Sequence, residues 1–160
     1  VVLAYCQSMQ INENGKILAD NYFEYTNDID NGKWRKDYIR DGLREIKEIL
    51  VVKNTIPNVS ATLFRKTDVS PIADKIINYK VAGDWFFYIW LLEQCKISYV
   101  SKSLNLHRRH NRSVVKSEDK ELHFNEVVGM QEYIMGNFDV TEEAIGKVLS
   151  YREYLKNTLG

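Results

Sequence analysis

The chain has 160 residues, enough for one domain with one hydrophobic core, and 28% of them are charged. Lys and Arg together number 22, as do Asp and Glu, so the net charge gives no reason to expect a nucleic-acid or membrane binder held by overall electrostatics. Two cysteines, Cys6 and Cys95, are too few for a disulfide framework, and their apolar sequence neighbours favour buried thiols in a reducing cytoplasm.

The sequence has no apolar run of the roughly 20 residues that a membrane helix needs, and no signal-peptide pattern. The chain starts at Val1, directly in the apolar run VVLAYC, which we interpret as a cut through a larger protein. We therefore expect a cytoplasmic location, with any membrane association supplied by a molecule that the protein binds or by the missing regions.

The first third of the chain predicts a strand, a turn, a loop and a helix. VVLAYCQS mixes β-branched and aromatic residues, which favours a buried strand to about Ser8, and NENGK supplies a turn. Residues 22–38 are interpreted as a loop that carries aromatic anchors, Trp34 among them. A helix of about ten residues ending before Asn54 is indicated by apolar residues at helical spacing: Leu43, Ile46, Ile49 and Leu50.

The remainder predicts short strands followed by helices. SATLFR reads as a short strand, TDVSPIADKIINYK as a short helix, and Trp85–Leu92 as a helix that is apolar on all sides and therefore buried or the floor of a cleft. KISYVS and SLNLHRR alternate as two strands, with Leu104 and Leu106 on one face and His107 on the other. From about Ser117 the pattern predicts two amphipathic helices.

Asp84 is the first candidate for a catalytic side chain. It follows a glycine and opens the aromatic helix, where the helix dipole lowers the pKa of a carboxylate while apolar walls raise it. Such a carboxylate could stay ionised at neutral pH and act as a general base. The alternative is that Asp84 only caps the helix.

A positive segment, HRRHNRS, follows about two dozen residues later. It gathers Arg and His side chains in six consecutive positions: His107, Arg108, Arg109, His110 and Arg112. Bidentate Arg and neutral His suit a phosphate and its metal ion, whereas the alternative is a solvated loop after an edge strand. Because successive strand residues point to opposite faces, at most one His should reach a common site.

Asp28 and Asp30 are separated by one residue, as in some metal-binding pairs. The calcium-loop pattern fails because Gly32 comes one residue too early, and no strand leads into the pair. We interpret this stretch as a turn.

Three segments, in this order, resemble the C-terminal half of a family 2 glycosyltransferase of the GT-A fold: VVLAYCQSMQINENGK, NTIPNVSATLFRK and AGDWFFYIWLLEQCKISYVSKSLNLHRRHNRSV. The resemblance covers residues 1–116, the acceptor-side half of such a domain, and leaves residues 117–160 as a helical extension. It implies an α/β fold, a partial, Rossmann-like GT-A domain with a mixed sheet and flanking helices.

Members of that family transfer a sugar from a nucleotide-sugar donor to an acceptor hydroxyl, usually with inversion, with Mg2+ or Mn2+ bridging the diphosphate. The resemblance therefore implies part of a hexosyltransferase-type enzyme of glycan or cell-surface polysaccharide synthesis, with a glycan or lipid-linked acceptor and no nucleic-acid partner. Asp84 resembles the family's catalytic base.

Other residue roles follow from the same resemblance. The residues expected near the metal and the diphosphate are His110, with His107 second, and the phosphate partners Arg109 and Arg112. The residues expected to contact substrate are Asn58, Ser60, Trp85 and, from stacking chemistry alone, Trp34.

The family's nucleotide-binding half, with its metal-holding Asp-X-Asp, should precede Val1, and Asp28–Asp30 follows the wrong strand to replace it. We therefore expect the chain alone to be inactive, and its exposed sheet edge to permit a homodimer. Two alternatives remain. One is a module that binds phosphate or single-stranded nucleic acid, although its aromatic residues should then alternate with the basic ones. The other is a structural fragment that interacts through the helical tail.

Overall fold

The structure, a computed structural model, describes residues 1–109 and 120–159. It is an α/β fold with one five-stranded mixed sheet and flanking helices. The strands are β1 (Leu3–Ile11), β2 (Ile17–Ala19), β3 (Tyr38–Asp41), β4 (Thr62–Phe64) and β5 (Lys96–Arg108). The α-helices are α1 (Phe23–Thr26), α2 (Gly42–Glu45), α3 (Ala73–Asn78), α4 (Gly83–Leu92), α5 (Lys120–Asn137) and α6 (Glu142–Leu159). A π-helical turn, Ile46–Leu50, continues α2, and 3-10 turns occupy Lys33–Arg35, Val59–Ala61 and Ser70–Ile72.

The sheet is organised around β1. This strand runs parallel to β5 on one edge and antiparallel to β2 and β4 on the other, while β3 pairs antiparallel with the far edge of β5. The strands predicted in the regions of β1 and β5 are confirmed, but β5 is one strand of 13 residues where the sequence predicted two. The reason is that β1 pairs with both halves of β5, and shifts in register between Cys6 and Ser8 accommodate the irregularity.

Local side-chain chemistry fixes the first turn and the start of α2. In the predicted NENGK turn, Gly15 has a φ of 81°, and Asn12 Oδ1 accepts hydrogen bonds from the backbone N–H groups of Asn14 and Lys16. Asp41 Oδ1 caps the next helix by accepting from the backbone N–H of Arg44 at 3.0 Å. The predicted helix is thus confirmed, with π-helical geometry in its second half.

The aromatic helix lies in the core, as its composition predicts. The buried residues of α4 are Trp85, Phe86, Tyr88, Ile89, Leu91 and Leu92. The two C-terminal helices add Met130, Ile134, Val148 and Leu155 to the same hydrophobic cluster that contains Leu3 of β1 and Ile97 of β5. The helical extension therefore packs onto the sheet-bearing part through a shared core; the boundary expected at residue 116 lies outside the described residues.

Two expectations about individual side chains are wrong. Cys6 is half-buried and Cys95 is exposed, because Cys95 lies in the turn between α4 and β5. Residues 22–38 contain α1 and a 3-10 turn, and Trp34 points into the core with 3% of its surface exposed. Among residues 1–109 and 120–159, none of the helices combines the length and the apolar character that a bilayer crossing requires.

Candidate active site

A pocket of about 260 Å³ lies beside the start of α4. Its walls come from α1 and its N-cap residue, the segment after the π-helical turn, the start of α4 and the two residues before it, the residue that follows β5, and from α5 and α6. The polar and ionisable side chains that line it are Tyr22, Tyr25, Lys53, Asn54, Asp84, Trp85, Arg109, His123 and Tyr151. This volume is slightly below the range typical of pockets that enclose a whole drug-sized ligand.

Asp84 is held at the pocket by neutral hydrogen-bond donors. Its Oδ1 accepts from Asn54 Nδ2 at 3.2 Å and from the backbone N–H of Trp85 at 2.7 Å. The ion pairs formed within the described part of the chain do not include Asp84. Burial raises the pKa of Asp84 to about 6, although the hydrogen bonds from Trp85 and Asn54 act in the opposite direction.

Helix capping does not account for this carboxylate. The N-cap of α4 is Ala82, and Asp84 is the second residue of the helix. Its side chain lines a pocket and accepts from one backbone N–H of the first turn, that of Trp85, and its pKa is raised because burial outweighs its hydrogen bonds. Asp84 therefore has the burial and the acidity of a group that can exchange a proton near neutral pH.

Arg109 brings a positive charge to the same pocket. Its backbone N–H donates to the carbonyl oxygen of Ile11 at 2.7 Å, which extends the pairing of β5 with β1 by one residue. The Tyr22 hydroxyl is hydrogen-bonded to His107 Nδ1, and Tyr22 also lines the pocket. Burial raises the pKa of Tyr22, while the Arg109 guanidinium lowers it, so the two side chains are close enough to interact. Arg109 is thus positioned to bind an anionic group at the pocket.

Lys53, the other cation of the pocket, has a structural role. Its Nζ lies 2.8 Å from both carboxylate oxygens of Asp28 and packs 4.4 Å and 5.0 Å from the ring centroids of Tyr25 and Tyr151. Burial lowers the pKa of Lys53. These contacts tie the N-terminal segment to α6, so the charge of Lys53 is already satisfied by protein groups.

The structure brings together three of the residues singled out from the sequence: Asp84, Trp85 and Arg109 all line the pocket. Trp85 has 2% of its surface exposed, and its indole Nε1 is buried without a hydrogen-bond partner in residues 1–109 and 120–159. A buried donor of this kind is uncommon in proteins.

Three other predicted substrate residues lie elsewhere. Asn58 is buried in a network in which its Nδ2 donates to Ser8 Oγ and its Oδ1 accepts from Asn105 Nδ2, at 3.2 Å and 3.0 Å. Ser60 is exposed on the 3-10 turn that follows. Trp34 Nε1 donates to the Tyr5 hydroxyl at 2.7 Å inside the core, which leaves the ring no open face for stacking on a sugar.

The described residues do not form a metal site. Within them, no group of three or more His, Cys, Asp or Glu side chains comes together, and His107 is hydrogen-bonded to Tyr22. The other predicted metal and phosphate residues, His110 and Arg112, lie outside the described residues.

The aspartate pair near residue 30 is a turn, as interpreted from the sequence. Asp28 binds Lys53, and Asp30 Oδ1 accepts from the backbone N–H groups of Gly32 and Lys33 at 2.8 Å and 2.9 Å. The Gly32 hydrogen bond is the main cause of a lowered pKa at Asp30.

Sequence reasoning missed the pocket residues that come from other segments. Asn54 follows a helix in a polar loop, and nothing in its spacing connects it with Asp84. His123 and Tyr151 belong to the helices that were set apart as an extension. Tyr22 and Tyr25 also line the pocket, and both fall within residues 22–38, which the sequence predicts to be a loop with aromatic anchors.

Comparisons with known proteins give no further identification: no family model matches the chain, and no match is found among curated proteins or solved structures. The fold defines an α/β protein with one mixed sheet and flanking helices. Any statement of function therefore rests on the pocket around Asp84 and on the resemblance of the motifs.

Proposed function

We propose that this chain is the acceptor-side part of an inverting, family 2-like glycosyltransferase of the GT-A fold. It moves a sugar from a nucleotide-sugar donor to a hydroxyl of a glycan or lipid-linked acceptor. The observation that carries the proposal is Asp84, a carboxylate without a cationic partner among the described residues, at a pocket that also contains Arg109. The motifs that surround both residues are those that resemble the family.

The chemistry assigned to the site is a single displacement. The acceptor hydroxyl oxygen forms a bond to the anomeric carbon while the bond from that carbon to the phosphate oxygen breaks, and the hydroxyl proton passes to Asp84. The electron pair of the broken bond leaves with the nucleoside diphosphate, whose negative charge attracts the guanidinium of Arg109. Asn54 orients the carboxylate through its hydrogen bond to Oδ1.

The pKa of Asp84 suits this role. At about 6 it leaves most of the carboxyl groups ionised at pH 7, yet makes them stronger bases than an ordinary aspartate.

The nucleotide-binding half is proposed to belong to the intact protein ahead of Val1. The Mg2+ or Mn2+ that the resemblance implies would take its ligands from outside the described residues.

The alternative of a nucleic-acid module has less support. Binding of single strands depends on aromatic faces that are free to stack on bases. The aromatic side chains next to the candidate site, Trp85 and Phe86, are 2% and 3% exposed and belong to the core. An anionic group could still bind Arg109, but the tyrosines that share its pocket, Tyr22, Tyr25 and Tyr151, are buried or half-buried.

The test is a nucleotide-release assay on the full-length protein with a panel of nucleotide sugars, with and without Mn2+. We expect release with one donor, and Asp84→Asn should lower turnover about 10²- to 10⁴-fold while changing the donor KM little. Asp74→Asn, at an exposed position on α3, is the matched control and should keep wild-type turnover. Full activity in Asp84→Asn would remove Asp84 from the mechanism.

The pH dependence gives a second readout of the same assay. Because the base must be ionised, the turnover of the wild type should rise between pH 5 and 7 with an apparent pKa near 6. A rate that is constant across this range would contradict the assignment.

A further inference from the structure

Glu126 of α5 holds the backbone that leads into α4. Its Oε1 accepts a hydrogen bond from the N–H of Lys80 at 2.8 Å, and its Oε2 accepts from those of Val81 and Ala82 at 2.8 Å and 2.9 Å. Three successive backbone donors therefore converge on one carboxylate. Hydrogen bonds to an ionised acceptor are stronger than those to a neutral acceptor. These three hydrogen bonds, called the clasp below, should therefore be among the strongest contacts between α5 and the rest of the fold.

The clasp ends two residues before Asp84. Ala82 is the N-cap of α4, and its carbonyl oxygen accepts from the N–H of Phe86 at 3.0 Å, which closes the first helical turn around the catalytic candidate. A Cβ added at Gly83 would lie 3.0 Å from the carbonyl oxygen of Ile76, so the turn is also packed closely against α3. A shift of residues 80–82 would therefore move the Asp84 carboxylate with them.

The same face of α5 forms part of the pocket. His123 and Val127, one turn before and one residue after Glu126, both line it. Burial lowers the pKa of His123, which opposes protonation of a ring that faces the pocket. The C-terminal helices thus contribute a wall of the pocket and also the hydrogen bonds that hold residues 80–82, the segment that leads into α4.

We infer that Glu126 is a positioning residue for Asp84, so that the helical extension completes the active site and does not merely cover the core. The catalytic meaning of this inference rests on the proposed function. The geometric part, that Glu126 sets the position of the Asp84 carboxylate, can be tested on the 160-residue chain without any enzymatic assay.

The first experiment compares the wild type with Glu126→Gln by NMR. Gln keeps the size of the side chain but replaces one acceptor oxygen with an NH₂ group, which cannot accept from the backbone N–H groups. We expect amide hydrogen exchange at residues 80–82 to become at least about tenfold faster, and the Asp84 carboxyl carbon resonance to shift. Glu153→Gln, an exposed change on α6, is the control and should alter neither signal.

The second experiment measures turnover in the full-length protein. If Glu126 acts through Asp84, Glu126→Gln should lower kcat about tenfold or more with little change in KM, and should cause no additional loss in an Asp84→Asn background. A residue that only stabilised the fold would lower both backgrounds equally. If Glu126→Gln does not fold, Glu126→Asp, which keeps the charge but shortens the side chain, should change the same signals in the same direction.

The outcomes separate this inference from the proposed function. Unchanged exchange at residues 80–82, or an unchanged Asp84 carbon resonance, overturns the positioning role whether or not the protein transfers sugars. Altered signals together with unaltered kcat in an active enzyme also overturn it. If the wild type shows no transfer, the proposed function fails, and the NMR comparison alone decides whether Glu126 positions Asp84.

Discussion

Two acidic side chains with little access to solvent, Glu45 and Asp84, occupy opposite kinds of surroundings in this protein. Glu45 has 1% of its surface exposed and binds Lys33 Nζ at 2.6 Å and Arg40 Nη1 at 3.3 Å. Asp84 has only neutral donors, Asn54 and a backbone N–H. A carboxylate neutralised by two cations serves structure, whereas one that lacks them retains the capacity to take a proton.

The side chains around Glu45 and Asp84 also differ. Around Glu45, Lys33 Nζ also lies 3.8 Å from the ring centroid of Tyr38, whose hydroxyl is within 2.7 Å of the Tyr5 hydroxyl, so the acid belongs to a connected buried network. Lys33, Tyr38 and Arg40 themselves border a wider surface pocket of about 960 Å³, but Glu45 does not line it, whereas Asp84 lines its own pocket directly. Burial alone therefore does not distinguish these two acids; among the described residues, Asp84 differs from Glu45 by lining a pocket without a cationic partner.

The largest expected effect on stability is at Glu45. Glu45→Gln keeps the volume but leaves Lys33 and Arg40 without their shared anion, and should lower the free energy of unfolding by about 3 kcal/mol. Urea unfolding measures this loss. Glu48→Gln is the matched control, since Glu48 pairs with Arg40 and Arg44 but its side chain is 38% exposed; its loss should stay below about 1 kcal/mol. If both substitutions lowered the free energy of unfolding equally, the buried ion pairs of Glu45 would be no more important for stability than the exposed pairs of Glu48.

At Asp84, the same kind of substitution should have the opposite effect and stabilise the fold by about 2 kcal/mol. Asp84→Asn removes a charge that burial disfavours, and the Asn side chain keeps an oxygen that can accept from Asn54. The variant should therefore unfold at higher urea concentration at pH 7 while losing its turnover. A destabilised Asp84→Asn would mean that the carboxylate is required for the fold, and the contrast with Glu45 would not hold.

The pH dependence of that stabilisation sharpens the comparison. Because the pKa of Asp84 is raised from 3.8 in the unfolded chain to about 6 in the folded one, its favourable contribution is complete below about pH 4 and is lost as the pH rises through 6. The difference in unfolding free energy between Asp84→Asn and the wild type should therefore vanish near pH 3.5 and be complete above pH 7. A difference that does not depend on pH would indicate a packing effect.

The smallest expected effect tests whether Trp34 belongs to the Glu45 network or to a substrate site. Trp34→Phe loses the hydrogen bond from Nε1 to the Tyr5 hydroxyl and should cost about 1 kcal/mol of stability, measured by urea unfolding. The KM for the acceptor should not change in the active full-length protein. A higher KM for the acceptor in this variant would indicate that Trp34 contacts the substrate.

The sequence predicted the parts of the fold whose signal is local. The β-branched and aromatic residues of β1, the alternation in β5, the turn glycine at position 15 and the apolar run of α4 each identify an element from neighbouring residues alone. Asp84 is a candidate from the sequence for the same reason, because a helix start and its aromatic neighbours are adjacent in the chain. Arg109 is a candidate because charged residues cluster around it, and both side chains line the pocket.

The rest depends on contacts between distant segments. Nothing near Trp34 or Asn58 indicates that the loops carrying them turn inward, since their partners, Tyr5 and Ser8, lie on a strand far away in sequence. Glu126 occupies an amphipathic helix, where a glutamate normally faces solvent. Only the packing of α5 against the turn before α4 gives it three backbone donors.

The parallel pairing of the first strand with β5 has a consequence for how the chain folds. The register joins Leu3 to Ile97, so the central pair of the sheet closes a loop that contains most of the intervening protein. Contacts of such large sequence separation slow folding, because loop entropy is lost before the pairing stabilises the chain. During synthesis, β1 leaves the ribosome long before β5, so the antiparallel pairs that β1 makes with β2 and then with β4 can form first. Assembly of the sheet, and of the pocket at the end of β5, is therefore a late step.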